Sequence, residues 1–399
     1  MMQSYNIAMK TLLYQYNPWW DEGYSDKDFI DRPSYTERLK ENIKKKHIVF
    51  LTGLRRVGKT TLMKIIIAEL LKEGIDKKNI LYVSLDDYLL LQKNIFEILE
   101  EYRKIHKLRS EEKIFLFLDE ITYQNDYHRQ LKNLYDKENI KIYATSSSSS
   151  LLKDKKAFLT GRSKTIEIKP LSFEEYKIFK KIEIKKRDSI LNESYFEDYI
   201  REGGLPENVI EPDREYLMNL VDDIIQKDIT AYHGIKNHQL MRDYYTLLME
   251  RSGKQLSINK IANILKISPD TARRYLHYFE ETYLVYLLPR WGKTNEKLLS
   301  PKKIYACDLG IKYLFMGGRD YGSYFENYLY LSLRSNNRSV YYIYEDGIEI
   351  DFYTSDGTLI ESKYNSELTE KQQKLFGEFQ AERKMVIDSV DKLELLKEI

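Results

Sequence analysis

Cysteine is nearly absent from this sequence, and long apolar runs are missing. The single cysteine, Cys307, excludes an intramolecular disulfide and a cysteine-rich metal cluster, which fits a reducing compartment. No window approaches the roughly 18 consecutive apolar residues of a membrane-spanning helix, and the N-terminus lacks the pattern of a signal peptide. We therefore expect a cytoplasmic protein that has no membrane partner.

An excess of charge of one sign is also missing. The 64 lysine and arginine residues nearly balance the 62 aspartate and glutamate residues, which leaves a net charge of +2 over 399 residues. This balance excludes a globally basic nucleic-acid-binding protein, so any basic surface must be local. The length predicts about two to four domains.

Apolar strands alternate with helices from about residue 44 to residue 170, and this order predicts an α/β fold with a parallel sheet covered on both faces. A mostly helical zone follows up to about residue 250. The segments SINKIANILK and TARRYLHYFEET then predict two helices joined by a turn, with a strand-like run after them, as in a winged helix-turn-helix. The remaining residues predict a second, smaller α/β unit.

The stretch GLRRVGKTT matches the phosphate-binding pattern G-x-x-x-x-G-K-S/T, and it lies between the strand HIVFLT and an apolar helix. Glycine lets backbone N–H groups approach phosphate oxygens, Lys59 neutralises the β and γ phosphates, and Thr60 ligates magnesium. We therefore expect ATP with Mg²⁺ to bind here. The predicted nucleotide-binding residues are Gly53, Leu54, Arg55, Arg56, Val57, Gly58, Lys59, Thr60 and Thr61.

An acidic pair completes this predicted site. Asp119 and Glu120 follow the apolar run of IFLFLDE. Asp119 is expected to hold magnesium through water, and Glu120 to polarise the attacking water as the catalytic base. The alternative for this pair is a helix cap at the end of a strand. The next strand, KIYATSSS, ends in Thr145 and Ser146, which are candidate sensors of the γ-phosphate or simply polar strand ends.

Several segments together resemble one family. GLRRVGKTTL, IFLFLDEI, YATSSSSSLL, LTGRSKTIEIKPLSFEEY and EGGLPENV, followed by YACDLG, FENYLY and IESKY, are similar to an archaeal and bacterial family of AAA+ ATPases with a C-terminal domain of unknown function 4143. The resemblance covers nearly the whole chain. With the element order it implies a P-loop AAA+ core (41–175), a helical lid (176–250), a winged helix-turn-helix (251–295) and a nuclease-like α/β domain (296–399). The adjacent Trp19 and Trp20 separately predict that the N-terminal segment (1–40) packs on the core.

Arg162, in LTGR, lies just before the last predicted core strand. AAA+ proteins often place an arginine there that reaches the γ-phosphate of a neighbouring subunit and stabilises the transition state. That role as a catalytic arginine finger requires a homo-oligomer. The alternative is an exposed arginine or one paired with a local carboxylate.

Arg273 and Arg274 lie on the second helix of the predicted helix-turn-helix, and its apolar stripe leaves them to face outward. Outward arginines on such a helix suit the major groove of DNA. Packing or protein contact is the alternative, because two arginines make a small electrostatic footprint.

Near the C-terminus, IEIDFYTSDGTLIESKYN predicts two strands around a turn, and the turn length decides which side chains meet. A three-residue loop at 355–357, with Gly357 left-handed, places Asp351 opposite Glu361. A two-residue loop instead places Asp351 opposite Ser362, on the wrong face.

In the first register, Asp351, Glu361 and Lys363 share one surface, and Glu326 of the preceding helix can add a fourth group. Such carboxylates suit a second Mg²⁺ or Mn²⁺, and the lysine suits activation of water or neutralisation of a phosphodiester. The set resembles the PD-(D/E)XK nuclease pattern, although no proline precedes the aspartate. The alternative is an exposed polar face with a cross-strand ion pair.

These observations predict an ATPase whose nucleotide state drives a DNA-directed action of the winged-helix and nuclease-like regions. Two alternatives stay open, each with a silent nuclease-like domain. One is an ATP-dependent switch that binds a protein partner, and the other is a DNA-binding regulator with the ATPase as its sensor.

Overall fold

The structure, a computed structural model, describes residues 2–25, 27–148, 159–335 and 339–397. The chain forms two compact units, Met1–Ile168 and Lys169–Ile399, and each is described by itself. The finer division into five domains stays a prediction. The end of the serine run, Ser149 and Ser150, lies outside the described residues.

A parallel sheet in the order β2-β3-β4-β1-β5 forms the centre of the first unit, which confirms the predicted sheet type. β1, β3 and β4 are buried along their whole length, as expected for strands covered on both faces. The strands are β1 (Ile48–Thr52), β2 (Ile80–Ser84), β3 (Ile114–Asp119), β4 (Ile140–Ser146) and β5 (Ser163–Glu167). The helices are α1 (Met2–Tyr16), α2 (Pro33–Lys40), α3 (Lys59–Lys72), α4 (Ile95–His106) and α5 (Tyr127–Lys137).

The strand order positions the candidate site. β4 lies between β1, which leads into the P-loop, and β3, which ends at Asp119. Since parallel strands point the same way, the carboxyl ends of these three strands meet at one edge of the sheet. The P-loop, Asp119 and the end of β4 therefore come together although they are far apart in sequence.

The segment that follows α1 covers the outer edge of β2. Asn17 pairs with both backbone groups of Tyr82: its Nδ2 donates to the Tyr82 carbonyl at 2.9 Å, and the Tyr82 N–H donates to its Oδ1 at 2.7 Å. The indole N–H groups of Trp19 and Trp20 donate to the Ile80 carbonyl at 3.3 and 3.0 Å, and both rings are buried. Side chains thus satisfy backbone groups that an exposed edge strand would present to solvent or to another chain.

The second unit combines a large set of helices with two small sheets. Its helices are α6 (Phe173–Phe179), α7 (Leu191–Glu202), α8 (Pro206–Ile210), α9 (Arg214–Asp223), a π-helix (Ile224–Ala231), α10 (His238–Glu250), α11 (Ile258–Leu265), α12 (Pro269–Glu281), α13 (Thr294–Leu299), α14 (Leu309–Met316), α15 (Tyr321–Ser335) and α16 (Glu370–Glu378). Its strands are β6 (Val285–Leu288), β7 (Lys303–Ala306), β8 (Val340–Glu345), β9 (Ile348–Thr354), β10 (Thr358–Ser362) and β11 (Arg383–Ile387).

The two helices predicted for the helix-turn-helix are present as α11 and α12. Each begins with a serine cap, because Ser257 accepts from the Lys260 N–H and Ser268 accepts from the Thr271 N–H. β6 follows α12 and pairs antiparallel with β7, which belongs to the segment assigned above to the terminal domain. The winged-helix assignment itself stays a prediction.

The C-terminal sheet has the order β11-β10-β9-β8, and its β9–β10 hairpin has the three-residue loop. Tyr353 pairs with Leu359 and Phe352 with Ile360, so the next pair along the ladder is Asp351 with Glu361. Gly357 has a φ of +84°, and its N–H donates to the Thr354 carbonyl at 3.0 Å. The register that brings the two carboxylates together is therefore confirmed.

Candidate functional site

The P-loop runs from the end of β1 to the start of α3, and its two glycines are required by its geometry. Gly53 has a φ of +136°, and a Cβ there would lie 2.1 Å from the Ile168 carbonyl oxygen. Gly58 is the left-handed N-cap of α3, with a φ of +92°. The first N–H groups of a helix have no partner within the helix, and they favour an anion at this end.

Lys59 begins α3 and is buried, with 6% of its surface exposed. Its Nζ donates to the Gly53 and Leu54 carbonyls, both at 2.9 Å, so the ammonium group lies against the loop that the sequence predicts to bind phosphates. Leu54 and Val57 are buried, so they anchor the loop by packing. Arg55 is half-buried, whereas Arg56 is exposed.

Asp119 is the centre of a buried hydrogen-bond network at the ends of the strands. Its Oδ2 accepts from the Thr60 hydroxyl at 2.6 Å and from the Tyr82 hydroxyl at 2.8 Å. Its Oδ1 accepts from the Thr145 hydroxyl. The structure therefore brings together three of the residues predicted for this site, Thr60, Asp119 and Thr145, and adds Tyr82.

Glu120 follows in a left-handed conformation with a φ of +49°, and its N–H donates to Thr145 Oγ1 at 2.8 Å. Burial raises the pKa of the Glu120 carboxyl, the charges of Lys59 and Arg55 oppose this, and Asp119 adds to it. A carboxylate with a raised pKa is a better proton acceptor. The Ser146 hydroxyl donates to the Ser148 carbonyl at 2.9 Å, so the acidic pair is contacted by Thr145 rather than by Ser146.

Arg162 pairs with a carboxylate of its own unit. Its Nε lies 3.0 Å from Asp136 Oδ1, and its guanidinium carbon lies 5.8 Å from the centre of the Tyr135 ring. This is the local pairing that the sequence left open as the alternative. Action on a neighbouring subunit stays a prediction.

Two residues of this site were missed by sequence reasoning. The buried Arg32 donates from Nη1 to the Val57 carbonyl at 3.0 Å and so ties the P-loop to the start of α2. Arg32 precedes Pro33 in an irregular segment, and no motif marks it. Tyr82 could have been found, because it lies two residues before the end of β2 and its side chain therefore shares a face with that of Ser84.

The predicted C-terminal cluster is centred on a lysine that the sequence did not single out. Lys303 of β7 has 1% of its side chain exposed. Its Nζ lies 2.6 Å from Glu326 Oε1, 2.7 Å from Glu349 Oε1 and 3.2 Å from Asp351 Oδ1. An ammonium group thus stands among the carboxylates at the position where the sequence predicted a divalent ion.

Lys363 does not join this group. Its Nζ lies 3.2 Å from Glu361 Oε1, which also accepts from Gln372 Nε2 at 2.9 Å. Glu361 Oε2 accepts from the Asp351 N–H, and Asp351 Oδ2 accepts from the Ser362 N–H, both at 3.0 Å. Among the residues that the structure describes, no group of three or more His, Cys, Asp or Glu side chains is arranged to hold a metal ion. The predicted second Mg²⁺ or Mn²⁺ therefore finds no support, because protein groups already satisfy the carboxylates.

Burial and mutual repulsion shift the pKa values of this cluster. Burial, together with the charge of Asp351, raises the pKa of Glu326 to about 7 and that of Glu361 to about 8. Burial acts to lower the pKa of Lys303, but Glu326, Asp351 and Glu349 raise it well above its ordinary value. Lys303 is therefore a permanent positive charge inside an acidic group.

The charged side chains of α12 do not form a basic face. Arg273 pairs with Asp270 at 2.8 Å, and His277 Nε2 lies 2.8 Å from Glu281 Oε1. The helix has two arginines, Arg273 and Arg274, against Asp270, Glu280 and Glu281, which gives a net charge of −1 with His277 neutral. A helix that enters a DNA groove is expected to be basic, so the predicted DNA contact is not favoured by this face.

Comparison with known protein families finds two segments of the chain that each match a family. Residues 45–177 match the family described as AAA domain, and this segment contains the P-loop and the Asp119–Glu120 pair. This segment of the chain is therefore similar to a AAA domain. Residues 193–320 match a domain of unknown function, number 8612, rather than the 4143 domain that the sequence resemblance implied. A nuclease-like domain is therefore not confirmed.

Similarity over most of the chain is found to proteins that are themselves uncharacterized. An uncharacterized protein of Methanocaldococcus jannaschii is 28% identical over 86% of this chain and 80% of its own length. An uncharacterized protein of Haemophilus influenzae is 27% identical over 82% of this chain and 84% of its own length. The structure of AMPPCP-bound DnaA from Aquifex aeolicus matches 65% of this chain and 91% of that chain at 18% identity, but its TM-score is only 0.30.

No helix among the described residues is long and apolar enough to cross a membrane.

Proposed function

We propose that this chain is a Mg²⁺-dependent ATPase whose second unit passes the nucleotide state to a protein partner. One observation carries the first half: Lys59, Thr60, Asp119 and Glu120 converge at one edge of the sheet, beside the N-terminus of α3. The AAA domain match over the same residues supports it.

The P-loop residues supply the binding of the phosphates. The backbone N–H groups of the loop and of the first turn of α3 are donors, and Lys59 provides the positive charge. Thr60 and Asp119 are the residues that would hold Mg²⁺, since their oxygens lie 2.6 Å apart and this ion prefers hard oxygen ligands. When bound, the ion neutralises charge that develops on the phosphates during transfer.

Hydrolysis requires a group that takes a proton from the attacking water, and Glu120 is that group. Its N–H is held by Thr145, so the backbone that carries the carboxylate is fixed next to Asp119. Because burial raises its pKa, the fraction of Glu120 in the ionised, active form increases as the pH rises through that pKa. The rate of hydrolysis is expected to rise with pH in the same interval.

A Glu120→Gln substitution tests the proposed function. Glutamine keeps the shape of the side chain but cannot accept a proton, so ATP hydrolysis is expected to fall about 10²-fold or more. ATP binding is expected to stay near that of the wild type. Phosphate release and the binding of labelled ATP measure the two effects separately. Glu111→Gln, which changes an exposed carboxylate before the same strand, serves as the matched control. Hydrolysis at the wild-type rate in Glu120→Gln would contradict the assignment.

For the second unit, we infer a protein-binding role with a silent nuclease-like region in place of action on DNA. Two observations favour this choice. Helix α12 has a net charge of −1 with His277 neutral, and Arg273 is paired with Asp270. In the C-terminal cluster, Lys303 stands where nuclease chemistry would need a divalent ion.

Mixing the protein with DNA distinguishes the two roles. At about 0.1 M salt, we expect fluorescence anisotropy to show no binding of a random 30-base-pair duplex tighter than about 10⁻⁵ M, with or without ATP, since few phosphates can be neutralised. We also expect no cleavage with Mn²⁺. Tight binding that is lost in an Arg273→Ala/Arg274→Ala variant, or cleavage that is lost in Asp351→Ala, would restore the DNA-directed function.

A further inference from the structure

Tyr82 is the donor to Asp119 that no motif accounts for. It lies on β2, where it pairs with Phe117, whereas Ser84 pairs with Asp119. Tyr82 and Asp119 are therefore diagonal neighbours on one face of the sheet, a separation that a long side chain can bridge. The Tyr82 hydroxyl reaches Asp119 Oδ2 at 2.8 Å, while a serine would be too short and a phenylalanine could not donate.

The three hydroxyl groups around Asp119 are not equivalent. The Thr60 hydroxyl is expected to bind Mg²⁺ in addition to donating to Asp119. Thr145 donates to Oδ1 and also accepts from the Glu120 N–H. Tyr82 is therefore the donor that holds Oδ2 without belonging to the P-loop motif or contacting Glu120. Side chains of this kind, which orient a ligand of a metal, affect metal affinity although they do not touch the ion.

Tyr82 is in turn held by the N-terminal segment. The side chain of Asn17 accepts a hydrogen bond from the Tyr82 N–H at 2.7 Å and donates one to the Tyr82 carbonyl at 2.9 Å. Its Nδ2 also donates to the Leu13 carbonyl at 2.7 Å. The Tyr16 ring meets the Tyr82 ring edge-on, with 6.0 Å between their centres. Because β2 is at the edge of the sheet, these contacts replace the strand that would otherwise fix its outer side.

We propose that Tyr82 is a positioning residue for the metal of the ATPase site, and that Asn17 anchors it. The hydroxyl of Tyr82 fixes the carboxylate of Asp119 in the orientation in which Asp119 and Thr60 hold Mg²⁺ with ATP. The N-terminal segment thereby becomes part of the nucleotide site although it contributes no ligand. This inference rests on the proposed function only in taking Asp119 and Thr60 as the residues that hold the ion.

A Tyr82→Phe substitution tests the proposal by metal affinity rather than by turnover. We expect the affinity of the protein–ATP complex for Mn²⁺, measured from the electron paramagnetic resonance signal of free Mn²⁺, to fall about 10-fold. Binding of ATP in the presence of EDTA is expected to stay within about twofold of the wild type, since Lys59 and the P-loop are unchanged. An unchanged Mn²⁺ affinity would overturn the proposal.

Tyr143→Phe is the matched control for loss of a buried hydroxyl. Tyr143 lies on β4 of the same sheet, and its hydroxyl donates to the Leu39 carbonyl at 3.0 Å rather than to Asp119. We expect this variant to lose thermal stability but to keep the Mn²⁺ affinity of the wild type. Equal loss of Mn²⁺ affinity in both variants would show a general effect of destabilisation and would also overturn the proposal.

The role of Asn17 has its own variant. Asn17→Asp keeps the acceptor for the Tyr82 N–H but removes the donor to the Tyr82 and Leu13 carbonyls, so a partial loss of Mn²⁺ affinity is expected. Wild-type affinity in a folded Asn17→Asp protein would refute the anchoring. Failure of the proposed function would look different: Glu120→Gln would hydrolyse ATP normally while Tyr82→Phe still weakened Mn²⁺ binding.

Discussion

Replacing Lys59 by alanine is expected to weaken ATP binding by about 10² to 10³-fold and to abolish detectable hydrolysis. The ammonium group is buried and points into the loop, where its hydrogen bonds to the Gly53 and Leu54 carbonyls hold it in place. Its loss removes the positive charge that we propose for the β and γ phosphates and also two contacts within the loop. Titration with a fluorescent ATP analogue measures the affinity, and phosphate release measures the rate.

Lys72→Ala is the matched control for this substitution. Lys72 lies on the same helix, α3, but at its far end, where it pairs with Glu69 at 3.1 Å on the surface. An exposed pair of this type contributes well below about 1 kcal/mol, so ATP binding and folding are expected to be nearly unchanged. Near-normal ATP binding in a folded Lys59→Ala protein would show that nucleotide binds elsewhere.

Replacing Lys303 by methionine is expected to lower the free energy of unfolding by about 3 to 5 kcal/mol. Methionine fills a similar volume but leaves Glu326, Glu349 and Asp351 without the cation that lies 2.6 to 3.2 Å from them. Uncompensated carboxylates that are mostly shielded from solvent are costly because the interior solvates charge poorly. Urea denaturation followed by circular dichroism measures the change. Lys302→Met, at the exposed neighbouring position, is the control and is expected to have little effect.

The loss in Lys303→Met is expected to depend on pH. In the wild type, burial and Asp351 already raise the pKa of Glu326 to about 7, and removal of the ammonium group raises it further. The folded state then binds protons more tightly than the unfolded state, whose carboxyl pKa is about 4.3, so stability falls as the pH rises above that value. The deficit of the variant should therefore be larger at pH 8 than at pH 5. A deficit that is equal at both pH values, or larger at pH 5, would contradict the assigned charge network.

The parts of the proposed ATPase site could be recognised in the sequence because they are local. The P-loop is one continuous motif, and Gly53, Gly58, Lys59 and Thr60 take their positions from a single strand–loop–helix connection. Asp119 was predictable for a related reason, since it ends an apolar strand and parallel strands end at one edge. Thr145 followed from the same rule, whereas the choice between Thr145 and Ser146 required side-chain directions.

The C-terminal cluster could be predicted only in part. Strand parity reduced the hairpin to two registers, because a hairpin is also a local structure, and the three-residue loop at 355–357 seen in the structure selected the one with Asp351 opposite Glu361. Lys303 could not be found in this way. It lies on β7, in a different sheet from β9, and the tertiary packing of the second unit brings it to the carboxylates.

The sequence by itself determined the α/β class of the first unit and marked the predicted phosphate-binding loop and acidic pair, since each depends on periodicity or on neighbouring residues. It left two registers open for the terminal hairpin, and the structure selected one of them. The tertiary structure alone decided which cation the C-terminal carboxylates face and which side chains hold Asp119. Lys303 and Tyr82 act across separations of tens of residues along the chain. Contacts of that kind follow from how sheets and helices pack. The position of a lysine or tyrosine in the sequence does not identify the residue that it contacts in the fold.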